Sequence, residues 1–279
     1  MILSFHPCFE ADKNLIVAGR DPGHEELNAI KSADAVILPQ GCRESLYKIA
    51  VRNCAHVFAD YHARFKYPGK TGQAALFKKT RAPFPRTFIY PNLASFSRRT
   101  PETVPKSPLP FPFVFKFDWG GEGQSVFLIK TDSELLQALE KTKYNENSGR
   151  RGFLIQTYIP HRNRSLRVVV VNTKLISYWR VQPVAEIFGT SLVAGAHIDK
   201  ESDPHLQAAA CNVVSRFCIQ TGINLAGFDL IFDQSKEKPV PVMLEINYFF
   251  GRAGLGGSNN FYELLVPEIA AWITGLHLP

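Results

Sequence analysis

Two stretches decide how this chain folds: Ala226-Gly-Phe-Asp-Leu-Ile-Phe232 and Val240-Pro-Val-Met-Leu-Glu-Ile-Asn247. Each is an apolar run of strand length, and the polar residues 234–238 between them suit a turn. Side chains two apart on a strand share a face, so Glu245 and Asn247 point one way while Val242, Leu244 and Ile246 point the other. Asp229 likewise faces away from Phe228, Leu230 and Phe232. An antiparallel hairpin closed over residues 234–238 therefore sets Asp229 beside Glu245. Adjacent carboxylates repel and call for a cation between them. Together with the Asn247 amide oxygen they form an all-oxygen donor set, which suits a hard ion such as Mg²⁺, whereas zinc would want nitrogen or sulfur. The alternative for the same pattern is a solvated polar sheet face.

Upstream, Phe113 to Phe117 reads as a strand carrying Lys116, followed by the glycine-rich turn of Gly120, Gly121 and Gly123 and a returning strand, Val126 to Ile129. Glycines let backbone N–H groups approach phosphate oxygens, and a lysine on the entering strand adds a point charge. The alternative here is an ordinary hairpin turn. Thr131, with Glu134 three residues on and Leu135, Leu136 and Leu139 beyond, carries the signature of a capped helix. Two other phosphate motifs fail. Pro68-Gly69-Lys70-Thr71 resembles the end of a P-loop, but Arg64 stands where its first glycine belongs. Val126 takes the place of the third dinucleotide-motif glycine after Gly121 and Gly123.

Toward the N-terminus, predicted strands at Leu15–Ala18, Ala35–Leu38 and His56–Ala59 alternate with helices at His24–Ala33 and Glu44–Asn53, which predicts a small parallel α/β domain over residues 1–69. Eight prolines between Pro83 and Pro112 mark a connector with a short strand at Thr87–Tyr90. Strands follow at Phe153–Ile159, Leu166–Val171 and Leu175–Val181, then a helix from Pro204 to Thr221 with Asp203 as its cap and Gly222 past its end.

The composition is globular, 45% hydrophobic and 20% charged over 279 residues. The net charge of +7 comes from scattered basic residues without interleaved aromatics, which argues against nucleic acid as a partner. Five cysteines show no metal-binding spacing, and no apolar run approaches the roughly 18 residues of a membrane span. A soluble, cytoplasmic protein with reduced thiols is expected. No G-x-S-x-G or H-E-x-x-H occurs, and His161 and His197 read as structural.

The order of these pieces resembles the ATP-grasp superfamily, in particular its RimK-like and glutathione-synthetase-like carboxylate–amine ligases, from about Lys70 to the C-terminus. The matching residues are Lys70 ahead of Pro85-Arg86-Thr87, Lys116 before Gly120-Gly121-Glu122-Gly123, the stretch Leu154 to Ile159, Ser165-Leu166-Arg167, Arg180, Gly227-Phe228-Asp229 and Glu245-Ile246-Asn247. The resemblance implies an α/β fold of the ATP-grasp type, with residues 70–279 as the ATP-grasp domain, a lid subdomain over about 84–157 and a metal-binding subdomain over about 158–279. It implies ATP held by Lys70, Lys116, Gly120, Gly121, Gly123, Gln156, Thr157, Tyr158, Ile159 and Arg167. Mg²⁺, or Mn²⁺ in its place, would sit on Asp229, Glu245 and Asn247. Arg180, Arg167 and Lys116 would act on the transferring phosphoryl group, and small-molecule or peptide carboxylate and amine substrates would be joined through an acyl phosphate. Arg252, in the glycine-rich loop Gly251 to Gly257, is the candidate grip for a substrate carboxylate. Thr157 and Ser165 depart from the family's acidic residues, and Tyr248 to Arg252 replaces its "S-P-G". Those departures motivate an alternative, an ATP-binding sensor or scaffold without ligase chemistry. A homo-oligomer is compatible with the sequence.

Overall fold

Short apolar strands separated by amphipathic helices cannot bury both faces alone, and among the described residues they assemble into three sheets. The computed structural model describes residues 1–99, 107–121, 124–233 and 237–278. The first sheet is parallel, in the order β2-β1-β3-β4, from β1 (Ile2–Ser4), β2 (Lys13–Asn14), β3 (Ala35–Ile37) and β4 (Val57–Phe58). Helices α1 (His24–Lys31) and α2 (Glu44–Asn53) connect its strands. Here the structure corrects the sequence reading: Leu15–Ala18 is not a strand, and the centre of the sheet is Ile2–Ser4. The chain leaves the sheet after Leu15, whose N–H donates to the Ser4 carbonyl, and turns at Ala18 in the left-handed region. Ile16 points into solvent, so the apolar run there marks a loop with one buried side chain, Val17.

Helix α3 (His62–Lys66) leads into α4 (Gly69–Thr80), which ends in a left-handed Arg81. The second sheet is antiparallel, β5-β8-β6-β7, from β5 (Thr87–Tyr90), β6 (Phe113–Phe117), β7 (Val126–Ile129) and β8 (Phe153–Thr157). It is backed by α5 (Leu93–Arg99) and α6 (Asp132–Asn147) over a phenylalanine-rich core in which Phe115 stacks on Phe153. Thr131 caps α6 as the spacing predicts, its Oγ1 accepting from the Glu134 N–H at 3.2 Å. β8 stops at Thr157, two residues short of the predicted strand.

The third sheet is antiparallel, β11-β10-β9-β12-β13, from β9 (Arg164–Val171), β10 (Lys174–Val181), β11 (His197–Asp199), β12 (Leu225–Asp233) and β13 (Val240–Asn247). One face packs on α7 (Pro204–Thr221), where Phe217 meets Phe228 edge-on, while α8 (Ser258–Thr274) ties the C-terminus back to the first sheet through Trp272 against Phe58. Asp203 does not cap α7. It sits in the left-handed region and its carboxylate pairs with Arg164 instead. The register also corrects the expected alternation along β13. Asp229 pairs with Glu245 but Leu230 pairs with Met243, so Leu244 is an extra, bulged residue. Met243 is thereby fully buried and Leu244 half-exposed, and strict alternation holds only from Glu245 onward.

Candidate active site

Register alone gathers most of the site. Asp229 is opposite Glu245 on one side and Arg167 on the other, Arg167 is opposite Tyr178, and Ser165 is opposite Arg180. Partners across a ladder share a face, as do residues two apart, so Ser165, Arg167, Tyr178, Arg180, Asp229, Glu245 and Asn247 all rise from the face turned away from α7. Gly227, opposite Asn247, leaves the space that the Arg167 side chain crosses; a Cβ there would lie 3.1 Å from Arg167 Cδ.

Asp229 is the electrostatic centre. Arg167 grips it with two bonds, Nε to Oδ1 at 2.5 Å and Nη2 to Oδ2 at 2.9 Å. Arg180 Nη2 adds a contact to Oδ1 at 2.6 Å, and Asn247 Nδ2 donates to Oδ2 at 3.1 Å. Burial alone would raise the Asp229 pKa, but the two guanidiniums outweigh it and hold the carboxyl down to about 2. These four donors occupy the roughly four lone-pair positions of a carboxylate. Glu245 is different: its side chain is 31% exposed, and its ion contact is Lys70 Nζ at 3.6 Å.

Two lysines close the site from the other elements. Lys70, in the first turn of α4, also donates to the Gly120 carbonyl at 2.8 Å, so one ammonium joins the glycine loop to Glu245. Lys116 rises from β6 in the same space; burial pushes its ammonium down to about 8, opposed by Glu245 and reinforced by the charge of Lys70. Gly123 lies outside the described residues. Gln156 is buried in β8 with its amide on Thr87 Oγ1, and Tyr158 and Ile159 follow the last ladder pair, where their main-chain groups leave the sheet. Arg252 is not gathered into this centre. It bonds Tyr262 Oη of α8 at 2.8 Å and reaches back to Gln40 Oε1, in the loop after β3, at 3.4 Å.

Several supporting residues escape a motif-based reading. The Asp118 carboxylate accepts from the Thr71 N–H at 2.7 Å and so caps α4 beside Lys70; a Cβ on Gly69 would fall 2.5 Å from the same carboxylate oxygen. Gln73 pairs its amide with both main-chain groups of Ile246, at 2.8 Å each, docking α4 on the open edge of β13 between Glu245 and Asn247. Ser165 and Thr190 hydroxyls bond at 2.5 Å, and Ser165 receives Arg180 Nη2 at 3.1 Å. Thus the serine that replaces an expected aspartate still orients the arginine. A side-chain amide near an edge strand leaves no short-range signal, which is why Gln73 could not be found from spacing.

The donor set fits a hard divalent ion. Glu245 has open oxygens, the Asn247 amide leaves its Oδ1 free once Nδ2 is spent on Asp229, and Asp229 regains an oxygen when one of its donors turns away. Among the described residues no group of three histidine, cysteine or acidic side chains offers a competing metal site.

A lysine-gated glycine loop on one antiparallel sheet, facing carboxylates and arginines on another, is the arrangement of an ATP-grasp protein. The chain belongs to the RimK-like ATP-grasp family, whose domain model matches residues 73–258. Among solved structures it is similar to D-alanine–D-alanine ligase from Bacillus anthracis, with TM-score 0.61 and 12% identity over 95% of this chain and 88% of that one. A RimK domain ATP-grasp protein from Sphaerobacter thermophilus gives TM-score 0.56 and 14% identity over 97% and 100%. The ADP complex of N5-carboxyaminoimidazole ribonucleotide synthetase gives TM-score 0.58 and 12% identity over 85% of this chain and 59% of that one, so the chain spans well under two thirds of that relative's length. At such identities these likenesses show the fold. No curated protein sequence matches the chain. Among the described residues no helix is long and apolar enough to cross a membrane.

Proposed function

We propose that the protein is an ATP-dependent carboxylate–amine ligase that works through an acyl phosphate. The observation that carries this is the convergence of Lys70, Lys116, Arg167 and Arg180 on Asp229 and Glu245: four cations against two carboxylates, an excess opposite in sign to a metal-bound triphosphate. In this reading residues 1–69 form the preceding α/β domain and 70–279 the ATP-grasp domain, with a lid over about 84–157 and a metal-binding part over about 158–279.

Lys70, Lys116, Gly120 and Gly121 hold the phosphates, with Gly123 in the same loop. Gln156 to Ile159 line the adenine side, where the main chain past Thr157 presents groups for the base edge. Asp229, Glu245 and Asn247 hold Mg²⁺ or Mn²⁺, which when bound neutralises phosphate charge. Arg167 orients Asp229 and flanks the nucleotide. Arg180, steadied by Ser165, stabilises charge on the phosphoryl group as the substrate carboxylate attacks it, and the amine then displaces phosphate from the acyl phosphate. The acceptors are small-molecule or peptide amines, in a soluble cytoplasmic setting.

One observation favours a second reading, an ATP-binding sensor: the lone pairs of Asp229 are already taken. ADP and phosphate release with Mg-ATP against a panel of amino acids, dipeptides and small carboxylates separates the two. Amine-dependent release that an Asp229→Ala, Glu245→Ala variant loses supports the ligase. Tight ATP binding with no stimulated release from any pair selects the sensor.

A further inference from the structure

The second sheet carries a groove on the side turned away from the phosphoryl site. Along β6, Phe115 and Phe117 face the core beneath α6, while Lys116 points the opposite way, toward Glu245 and Lys70. Between the β6–β7 hairpin and α6 the structure leaves an open groove of about 560 Å³. That volume lies within the range of small-molecule sites, roughly 300–1,000 Å³. The floor is aromatic: Trp119 stacks on Phe117 with ring centroids 5.0 Å and planes 14° apart, and Phe127 meets Phe117 edge-on. The wall comes from α6, with Glu140, Lys141 and Tyr144, a residue 78% exposed.

Three groups at this groove lack the same kind of partner. Trp119 Nε1 is buried without a hydrogen-bond acceptor. Lys141 Nζ lies over the Phe127 ring at 4.9 Å, and the Arg150 guanidinium lies over Trp119 at 5.0 Å. Among the described residues neither cation is paired with a carboxylate. Arg150 is brought back to the groove by its own N–H, which donates to the Asn145 carbonyl in the last turn of α6 at 3.0 Å. An acceptor for the indole N–H and a counter-charge for the two cations are both supplied by a carboxylate. Glu140 stands on the same wall, so the positive excess is small and suits one carboxylate rather than a phosphate dianion. A planar ring suits the aromatic floor, since aromatic faces and edges attract one another.

We propose that this groove is a second binding site, for a small aromatic monocarboxylate, and that the molecule held there steadies the glycine loop. Trp119 joins Asp118, which caps α4, to Gly120, whose carbonyl accepts from Lys70. Gln124, also in the lining, donates its N–H to the Gly121 carbonyl at 3.2 Å. Fixing the Trp119 ring therefore restrains the turn next to it. The site itself stands on the groove alone; its effect on ATP rests on the reading of the glycine loop as a phosphate holder.

The test follows the indole N–H signals of the ¹⁵N-labelled full chain by NMR. The sequence supplies three tryptophans, and the signal missing from a Trp119→Phe protein is the one in the groove. Phenylacetate shifts that signal saturably, whereas phenylacetamide, which lacks the charge, and acetate, which lacks the ring, do not. Lys141→Gln and Arg150→Gln, both at exposed positions, each weaken binding roughly three- to tenfold, and Glu140→Gln tightens it. In calorimetry phenylacetate tightens Mg-ATP binding by the factor by which Mg-ATP tightens phenylacetate. A Trp119 signal that phenylacetate leaves in place, or that moves equally with the amide or in both glutamine variants, overturns the site; a groove made for a protein segment gives the first of these results. Saturable binding with unchanged Mg-ATP affinity keeps the site and removes its hold on the loop. Phenylacetate binding in a protein that does not bind Mg-ATP keeps the site and removes the nucleotide reading.

Discussion

Asp229→Asn removes the charge that four donors share. A carboxyl held at about 2 instead of the ordinary 3.8 contributes about 2 kcal/mol to folding at neutral pH, because each pKa unit corresponds to roughly 1.4 kcal/mol. The folded-state pKa is depressed, so this contribution is fully present above the unfolded value and is lost as pH falls through about 2. The asparagine also strands the buried Arg167 guanidinium, which brings the expected loss at pH 7 to about 2–4 kcal/mol, a Tm lowered by roughly 5–15 °C. Urea unfolding of both proteins at pH 6.5 and pH 2.5 isolates the effect, since every other carboxylate titrates in both. The gap in stability is wide at the higher pH and narrows as pH approaches 2. A gap that stays constant with pH, or no gap at all, refutes the claim that arginine pairing fixes this charge.

Lys116 predicts a basic limb. Its proton leaves near pH 8, so Mg-ATP affinity measured by calorimetry falls above that pH, and Lys116→Arg, which stays charged, removes the fall. Gly254→Ala places a Cβ 2.1 Å from the Tyr178 ring and costs about 1–3 kcal/mol of stability by overpacking, read as a lowered Tm, whereas Gly251→Ala, with open space around it, is near neutral. Gln73→Leu leaves the buried Ile246 main chain unpaired, costs about 1–3 kcal/mol in urea unfolding, and weakens ATP binding by loosening Lys70 and Glu245. Asp118→Ala uncaps α4 and costs about 1 kcal/mol in the same measurement.

What could be read from the sequence is what local chemistry fixes. The Asp229–Glu245 pairing followed from two periodic strands and a turn, and the ladder has that register. The start of α6 followed from Thr131 and Glu134, which act within four residues of each other. The misreadings are non-local. Ile2–Ser4 is a strand because it is sandwiched between β2 and β3, not because of its own three residues. Leu244 bulges out and Met243 turns inward because of what β12 and α7 present to them, which no alternation along one strand can show. Asp203 forsakes the cap that its position before Pro204 predicts because Arg164, far back along the chain, offers a charge.

The same distinction explains why the resemblance could single out Arg167 and Arg180 while their arrangement stayed hidden. A motif names the side chains, but their roles depend on which partner each already has. Arg167 has both of its bonds to Asp229 inside the sheet and loses them only at the cost of a buried, unpaired carboxylate. Arg180 has a single contact to Asp229, a second to Ser165, and an Nε that is buried without a partner. Of the two, Arg180 can change partners at the lower cost, and in the proposed ligase its departure would free an oxygen of Asp229 for the metal ion. In the proposed ligase, a metal ion on Asp229 and Arg180 on phosphate would be one exchange, which reconciles the saturated carboxylate with that reading.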